Sequence, residues 1–308
     1  MSKSDFCSLL LPQRVRKRLQ ESGIENHEDL LAAGSSFAFE AGLVFERRRD
    51  TPVFTFNTAL DDLKTSGNFQ PIATWIPSID AMLDGGIPRR KIVEVTGAAG
   101  TGKTQFCMQV AASNELSNKS TVYIDSKGGF TTARYREILT GISRRQGCAA
   151  TSDEAGLRYT LCDSWQQLVS LLCLLPDKIR SCGVREDISL VVLDCFDFHM
   201  RNQLEDPRER KKVISGLTQK LVEIAKCGIA VLITNHLSMR PSNNDPSTLL
   251  IAPALGQAFG HECAYRATFT EDDGLYQAIF YKAPTFGHAV VPFRIQRDGI
   301  VEESDAFF

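Results

Sequence analysis

A glycine-rich turn followed by lysine and threonine is the part of the sequence best suited to chemistry. Residues 97–104 read GAAGTGKT, which fits the pattern G-x-x-x-x-G-K-[ST]. Glycine lets the backbone turn so that successive N–H groups point inward, and a following helix adds partial positive charge at its N-terminus. Lys103 would then reach the β- and γ-phosphates of a nucleotide, and Thr104 would offer a hydroxyl to Mg²⁺. The simpler alternative is a turn without a ligand, which the flanking strand and helix disfavour. The residues predicted to bind the nucleotide are Gly97, Ala98, Ala99, Gly100, Thr101, Gly102, Lys103, Thr104 and Gln105.

A second chemical group is the acid that ends an apolar run. Residues 190–194 read LVVLD, so Asp194 follows four apolar residues. An apolar strand that ends in aspartate is common, but together with a phosphate-binding loop it predicts a carboxylate beside the metal-bound water shell. We therefore predict a Mg²⁺ site made by Thr104 and Asp194.

These residues need a sheet to position them, and the hydrophobic pattern supplies one. Apolar runs at 91–96, 121–125, 157–162, 189–194 and 229–234 predict strands, and the intervals between them predict helices at 102–115, 131–145, 164–182 and 207–227. This alternation predicts an α/β fold with a mostly parallel sheet flanked by helices, whose ligands bind at the carboxyl ends of the strands. After residue 236 a loop rich in Pro, Asn and Ser is expected, then shorter strands near 264–270, 275–282 and 290–296.

Composition excludes several classes of protein. The formal net charge of -2 gives no overall basic field that would attract nucleic acid. The nine cysteines lack paired C-x-x-C spacing, as expected of a reduced intracellular protein rather than a disulfide or zinc scaffold. No run of residues has the length and apolarity needed to span a bilayer, so no membrane partner is expected.

The N-terminal part of the chain differs from the rest. Residues 1–48 predict a small helical domain, whose basic cluster at 14–18 is either a solvated face or a contact for DNA phosphates. Residues 49–73 predict a linker, and 74–308 the nucleotide-binding core. Within the linker, Phe56 and Ala59 form a Phe-x-x-Ala pattern that suits a partner's pocket, although both Phe54 and Phe56 could equally pack on their own core.

Four stretches resemble the RecA-like recombinase family in order and spacing. They are residues 74–105, VYIDSKGGFTTAR at 122–134, LVVLD at 190–194 and AVLITNH at 230–236. The resemblance covers about residues 54–298, and residues 10–35 more weakly resemble the small helical domain of eukaryotic and archaeal recombinases. It implies a RecA-like P-loop core that binds ATP and Mg²⁺. LDDLKTS (60–66), DSKGG (125–129), TNH (234–236) and PALGQAF (253–259) look most like the branch of eukaryotic recombinase paralogues designated D.

The resemblance also implies roles for individual residues. Arg134 matches an arginine that packs on the adenine, with an exposed helix arginine as the alternative. Stretches 196–209 and 236–258 match two loops that line the DNA path, and Phe56 with Ala59 resembles the motif that links recombinase protomers. Arg201 is the fixed cation of 196–206, and Arg240 that of 236–258. We expect weak intrinsic binding to single-stranded DNA because phosphate neutralisation dominates that affinity.

Three positions depart from the recombinase pattern. Lys127 stands where recombinases carry a glutamate that directs the attacking water, and general-base help of this kind contributes on the order of 10²–10⁴ in rate. His236 replaces the glutamine that senses the γ-phosphate, and its hydrogen bonding depends on tautomer and protonation. Lys282 occupies the place of an acid at the protomer interface. These changes leave ATP binding intact and weaken its turnover.

The expected function is therefore that of an ATP-binding recombinase paralogue in the nucleus. It would assist DNA repair by homologous recombination, acting with other paralogues to stabilise or remodel recombinase filaments on single-stranded DNA, and it would be at most a weak DNA-dependent ATPase. The first alternative is an autonomous ATPase or strand-exchange recombinase, which would need another carboxylate such as Asp125, Glu94 or a partner's to direct the water. The second is a P-loop kinase of small molecules.

Overall fold

A computed structural model describes residues 69–147, 156–181, 188–241, 249–285 and 287–303. The predicted N-terminal helical domain and most of the predicted linker lie outside these ranges. Phe56 and Ala59 therefore lie outside the described residues as well.

A nine-stranded sheet forms the centre of the described chain, with strands in the order β11-β10-β9-β8-β1-β5-β4-β2-β3. The strands from β8 to β3 in this order are parallel, whereas β9, β10 and β11 extend the sheet in antiparallel fashion. A separate two-stranded sheet pairs β6 with β7. The strands are β1 (Ile92–Gly97), β2 (Ser120–Asp125), β3 (Leu157–Leu161), β4 (Ile188–Asp194), β5 (Ala230–Asn235), β6 (Leu237–Pro241), β7 (Leu249–Pro253), β8 (Tyr265–Asp272), β9 (Leu275–Lys282), β10 (Ala289–Gln296) and β11 (Gly299–Glu302).

Helices cover both faces of this sheet. Residues alternate along β4: Leu190 and Val192 join one hydrophobic cluster, and Val191 and Leu193 join another. Because both faces of β4 are covered, its sequence reads as a continuous apolar run rather than as an alternation. Helices α2 and α3 pack in the first cluster, and α4 and α6 in the second. The helices are α1 (Pro77–Met82), α2 (Lys103–Leu116), α3 (Thr132–Gln146), α4 (Trp165–Ser181), α5 (Phe198–Gln203), α6 (Pro207–Lys226) and α7 (Gly256–Glu262).

The predicted RecA-like α/β architecture with a mostly parallel sheet is confirmed, and the strands predicted near 264–270, 275–282 and 290–296 are present as β8, β9 and β10. Two predicted loops need correction. The stretch 236–258 contains the β6–β7 hairpin and the start of α7, and 196–209 contains α5 and the start of α6. Asp206 caps α6 by accepting a hydrogen bond from the Arg208 N–H, and Pro207 occupies the first turn, where its missing N–H is harmless.

No helix within these ranges combines the length and the apolarity that crossing a bilayer requires.

The contact between α3 and the β10–β11 turn is close enough to require glycine. A Cβ atom added to Gly141 would lie 2.3 Å from the carbonyl oxygen of Asp298. Gly141→Ala should therefore destabilise the fold by about 1–3 kcal/mol, despite alanine's better helix propensity, because two backbones must separate. The measurement is the midpoint of denaturant unfolding. Gly287→Ala is the matched control, since an added Cβ there has open space, and equal midpoints for the two variants would contradict the prediction.

Candidate phosphate and metal site

The phosphate-binding loop joins β1 to α2 at the carboxyl edge of the sheet. Gly97 is needed for close approach, because an added Cβ would lie 2.5 Å from the Phe269 carbonyl oxygen. Gly102 has a φ of 89°, and an added Cβ would lie 2.9 Å from Ile295. The paired glycines of the motif are therefore required by the geometry of the turn.

Lys103 begins α2, and its ammonium lies inside the loop. Its Nζ donates hydrogen bonds to the carbonyl of Gly97 (2.9 Å) and to the carbonyl of Ala98, and lies 3.4 Å from Thr101 Oγ1. Burial lowers the pKa of Lys103, an effect that the charge of Asp194 opposes and that of Lys127 reinforces. The side chain is only 7% exposed. A phosphate oxygen could replace the loop carbonyls as acceptor with little movement of the ammonium.

Asp194 ends β4 with a fully buried carboxylate whose two oxygens have different donors. Thr234 Oγ1 donates to Oδ1 at 2.5 Å, and the Tyr123 hydroxyl donates to Oδ2 at 3.1 Å. Burial and the adjacent Asp194 charge raise the pKa of Tyr123 well above its ordinary value, which keeps the phenol a donor. Strands on both sides therefore hold the predicted metal-side acid in place.

The donor set at this edge fits Mg²⁺. The ion prefers oxygen ligands and usually keeps several waters, bound by one or two carboxylates and by substrate phosphates. The partly exposed Thr104 would supply a hydroxyl, and Asp194 would orient the metal-bound waters. The metal, when bound, would neutralise charge on the phosphates.

The turn after β2 is organised by Asp125, which is 1% exposed. Its Oδ1 accepts hydrogen bonds from the N–H groups of Lys127 (2.9 Å) and Gly128 (2.8 Å), and its Oδ2 from that of Phe130 (2.9 Å). We call residues 126–130 the β2 turn. It lies against the phosphate-binding loop, since a Cβ added to Gly129 would be 3.5 Å from Thr104 Oγ1.

Glu94 is the other carboxylate considered for directing water, and it is also engaged. It is 0% exposed, and its two oxygens accept from Asn235 Nδ2 (2.7 Å) and Arg266 Nε (2.5 Å). Glu94 and Asp125 are both buried away from water, and protonation of either carboxylate would weaken the hydrogen bonds that it accepts, so neither is placed to act as a general base. Lys127 itself is exposed and brings a positive charge to the place where the recombinase pattern has an acid.

Arg134 lies beside Gln105, the residue that follows the phosphate motif. Its Nε donates to Gln105 Oε1 at 2.6 Å, and its terminal nitrogens donate to the carbonyls of Gln296 and Arg297, each at 2.6 Å. The guanidinium therefore ties α3 to the β10–β11 turn. Packing on adenine remains a prediction for this residue.

The predicted sensor His236 is paired with a residue that the sequence analysis did not select. Its Nδ1 and its backbone N–H lie 3.0 Å and 3.2 Å from Asp197 Oδ1, while Arg201 NH1 contacts Asp197 Oδ2 at 3.2 Å. Burial raises the pKa of Asp197, but hydrogen bonds and charge from His236 and Arg201 outweigh it, so the net pKa is below the ordinary value. The pair joins the two stretches predicted to line the DNA path.

The other predicted residues are more scattered. Arg240 lies in β6 opposite Leu250, whereas Arg201 lies in α5. Lys282 Nζ donates to the carbonyls of Gly260 (2.8 Å) and His261 (3.1 Å), so it caps the C-terminal turn of α7.

Sequence reasoning missed Tyr123, Thr234 and Asp197. Asp194 ends β4 and Thr234 is the penultimate residue of the neighbouring parallel strand β5, where Leu193 pairs with Ile233, so knowledge of the strand order would have brought them together. That order is a tertiary property, which periodicity along the chain does not reveal.

The fold and this site define a RecA-type P-loop protein. The model of the family named Rad51 matches residues 68–303, and the chain belongs to the Rad51 family. It is also similar to "DNA repair protein RAD51 homolog 3" of Cricetulus griseus, with 26% identity over 96% of this chain and 91% of that protein. The protein of the same name from Dictyostelium discoideum is 26% identical over 74% of this chain and 65% of its own length.

The Asp197–His236–Arg201 cluster predicts an acid-dependent loss of stability. The pKa of the Asp197 carboxyl is lower in the folded chain than in the unfolded chain, where it is about 4. Asp197 therefore contributes its full stabilisation above the unfolded pKa, and this stabilisation is lost as the pH falls through the folded pKa. Asp197→Asn should destabilise the fold by about 1–3 kcal/mol at pH 7, because the buried hydrogen bonds weaken. It should also make stability less dependent on pH between 5 and 3, as measured by urea unfolding.

Asp163→Asn is the control, because Asp163 is exposed. If the unfolding free energy of Asp197→Asn varied with pH as that of the control does, the cluster would not be the source of the acid-dependent loss of stability.

Proposed function

We propose that this Rad51-family protein binds ATP with Mg²⁺ and assists DNA repair by homologous recombination. It does so by docking on recombinase filaments on single-stranded DNA, together with other paralogues, in the nucleus. Nucleotide occupancy rather than turnover is the signal, because a ligand shifts a conformational equilibrium by its differential affinity for the two states.

One observation supports this proposal: the phosphate-binding loop and Asp194 lie at a sheet edge where the other carboxylates considered, Asp125 and Glu94, are buried and already hydrogen-bonded. Lys103, Thr104 and Asp194 supply what a magnesium nucleotide needs. Asp125 and Glu94 are held by backbone and side-chain donors, and Lys127 replaces the expected acid. Such a site retains a triphosphate and lacks a general base of its own for hydrolysis.

The β2 turn supplies a route from the nucleotide to the surface. Phe130 stacks on Tyr159, with ring centroids 4.7 Å apart, and Tyr159 lies on β3, the edge strand of the sheet. Tyr159 and Leu161 are 41% and 43% exposed. A phosphate that contacts the β2 turn would therefore act, through Phe130 and Tyr159, on an exposed apolar strand edge, which is suited to binding another chain.

Weak intrinsic DNA binding accords with the charges of the predicted DNA-path segments. The Arg201 guanidinium is paired with Asp197 and is only partly free to neutralise phosphate. A filament partner would supply the missing cations. DSKGG, TNH and PALGQAF support the paralogue branch designated D, while the two relatives described above carry the name RAD51 homolog 3.

Nucleotide-dependent docking is tested with recombinase assembled on single-stranded DNA. With Mg²⁺ and a non-hydrolysable ATP analogue, the wild-type protein should co-sediment with the filament, and Lys103→Ala should bind at least about tenfold more weakly because the phosphate loses its buried cation. Lys226→Ala, at an exposed position on α6, is the matched control. Hydrolysis by the purified protein at recombinase-like rates, abolished by Lys103→Ala, would contradict the proposal.

The Phe-x-x-Ala pattern predicts a separate anchor for a partner. Phe56→Ala should reduce co-purification with the recombinase or a partner paralogue by about 30-fold or more, because a buried aromatic anchor contributes 2 kcal/mol or more to binding. The melting temperature should change little, and Phe54→Ala serves as the comparison. A large fall in melting temperature with binding retained would instead identify Phe56 as a core residue.

A further inference from the structure

Among the residues that the structure describes, Lys127 is a cation without a counter-ion, and it lies on the turn that packs against the phosphate-binding loop. The side chain is exposed, and in the ranges that the structure describes its ammonium has no hydrogen-bond acceptor and no ion-pair partner. The other cations around the site are each committed to protein acceptors: Lys103 to the loop carbonyls, Arg134 to Gln105 and the β10–β11 turn, Arg201 to Asp197 and Arg266 to Glu94.

The backbone of Lys127 is held in a defined position. Asp125 accepts the N–H groups of Lys127, Gly128 and Phe130, and stacking of Phe130 on Tyr159 fixes the far end of the turn. Gly129 lies against Thr104, the last residue of the phosphate motif. The Lys127 backbone therefore lies on a hydrogen-bonded turn that packs against the phosphate-binding loop.

Lys127 and Lys103 lie on neighbouring segments, because Gly129 of the β2 turn packs against Thr104, which directly follows Lys103. Like charges repel, and an anion bound between the β2 turn and the phosphate-binding loop would relieve that repulsion. More negative charge in the anion gives more relief, so the arrangement favours the ligand with the larger phosphate charge.

We propose that Lys127 contacts the terminal phosphate of the bound nucleotide and makes the site selective for nucleoside triphosphates over diphosphates. This inference rests on the proposed nucleotide-binding function and adds the residue that discriminates between nucleotide states. Lys103 reaches the β-phosphate, which both nucleotides have, as well as the γ-phosphate, whereas Lys127, at the exposed side, contacts only the phosphate that is specific to the triphosphate. A charge-assisted bond to phosphate is among the stronger polar contacts in proteins.

The test is isothermal titration of the full chain with Mg²⁺ and either ADP or a non-hydrolysable ATP analogue, at one fixed salt concentration. Lys127→Gln should weaken binding of the ATP analogue at least about tenfold, the loss of one charge-assisted bond, and should change ADP affinity less than about twofold. Lys127→Arg keeps the charge and should keep most of the preference. Lys226→Gln, an exposed lysine on α6, should match the wild type.

The melting temperature measured without nucleotide shows whether a loss of affinity in Lys127→Gln comes from binding or from a destabilised fold. Lys127→Gln should melt at or slightly above the wild-type temperature, because the substitution removes repulsion and breaks no contact. Equal losses for ADP and the ATP analogue, or no loss for either, would overturn the inference while leaving nucleotide binding itself intact. A wild-type protein that binds neither nucleotide, with Lys103→Ala indistinguishable from it, would overturn the proposed function as well.

Discussion

Two opposite charges are buried at one edge of the sheet, and the arrangement of the surrounding strands depends on them. Lys103 is 7% exposed and Asp194 is 1% exposed. Removing such charges from water costs several kcal/mol each unless other groups compensate. Compensation requires the loop carbonyls around Lys103 and the hydroxyls of Tyr123 and Thr234 around Asp194. Strands β1, β2, β4 and β5 must therefore end at the same level.

That requirement explains why the parallel core is built as it is. Ligands of parallel α/β sheets bind outside the carboxyl ends of the strands, where loops and helix N-termini converge. Two strands outside the strands β1 to β5 also take part: the antiparallel strand β10 places Ile295 against Gly102, and β8, which is parallel to β1, places the Phe269 carbonyl against Gly97. Both strands lie on the side of β1 away from β5 and bound the phosphate-binding loop there.

Local patterns allowed the phosphate-binding loop, Asp194 and the order of strands and helices to be predicted, because each depends on spacing within a few residues. The β6–β7 hairpin was missed because its short strands pair only with each other and are separated by a polar, Pro-containing stretch. The engagement of Glu94 was also hidden, since its partners Asn235 and Arg266 lie 141 and 172 residues away. A sequence gives the presence of a carboxylate, but only tertiary partners decide whether it is free to react.

The β2 turn unites these observations in one short segment. Asp125 uses both of its oxygens to hold the turn and is 1% exposed, so water does not reach its carboxylate. The same bonds present Lys127 to the phosphate site and Phe130 to the edge strand. A glutamate at position 127 would sit in the same rigid frame with the opposite charge. In the function that we propose, this difference in charge at position 127 separates a site that retains a triphosphate from one equipped with a general base for hydrolysis.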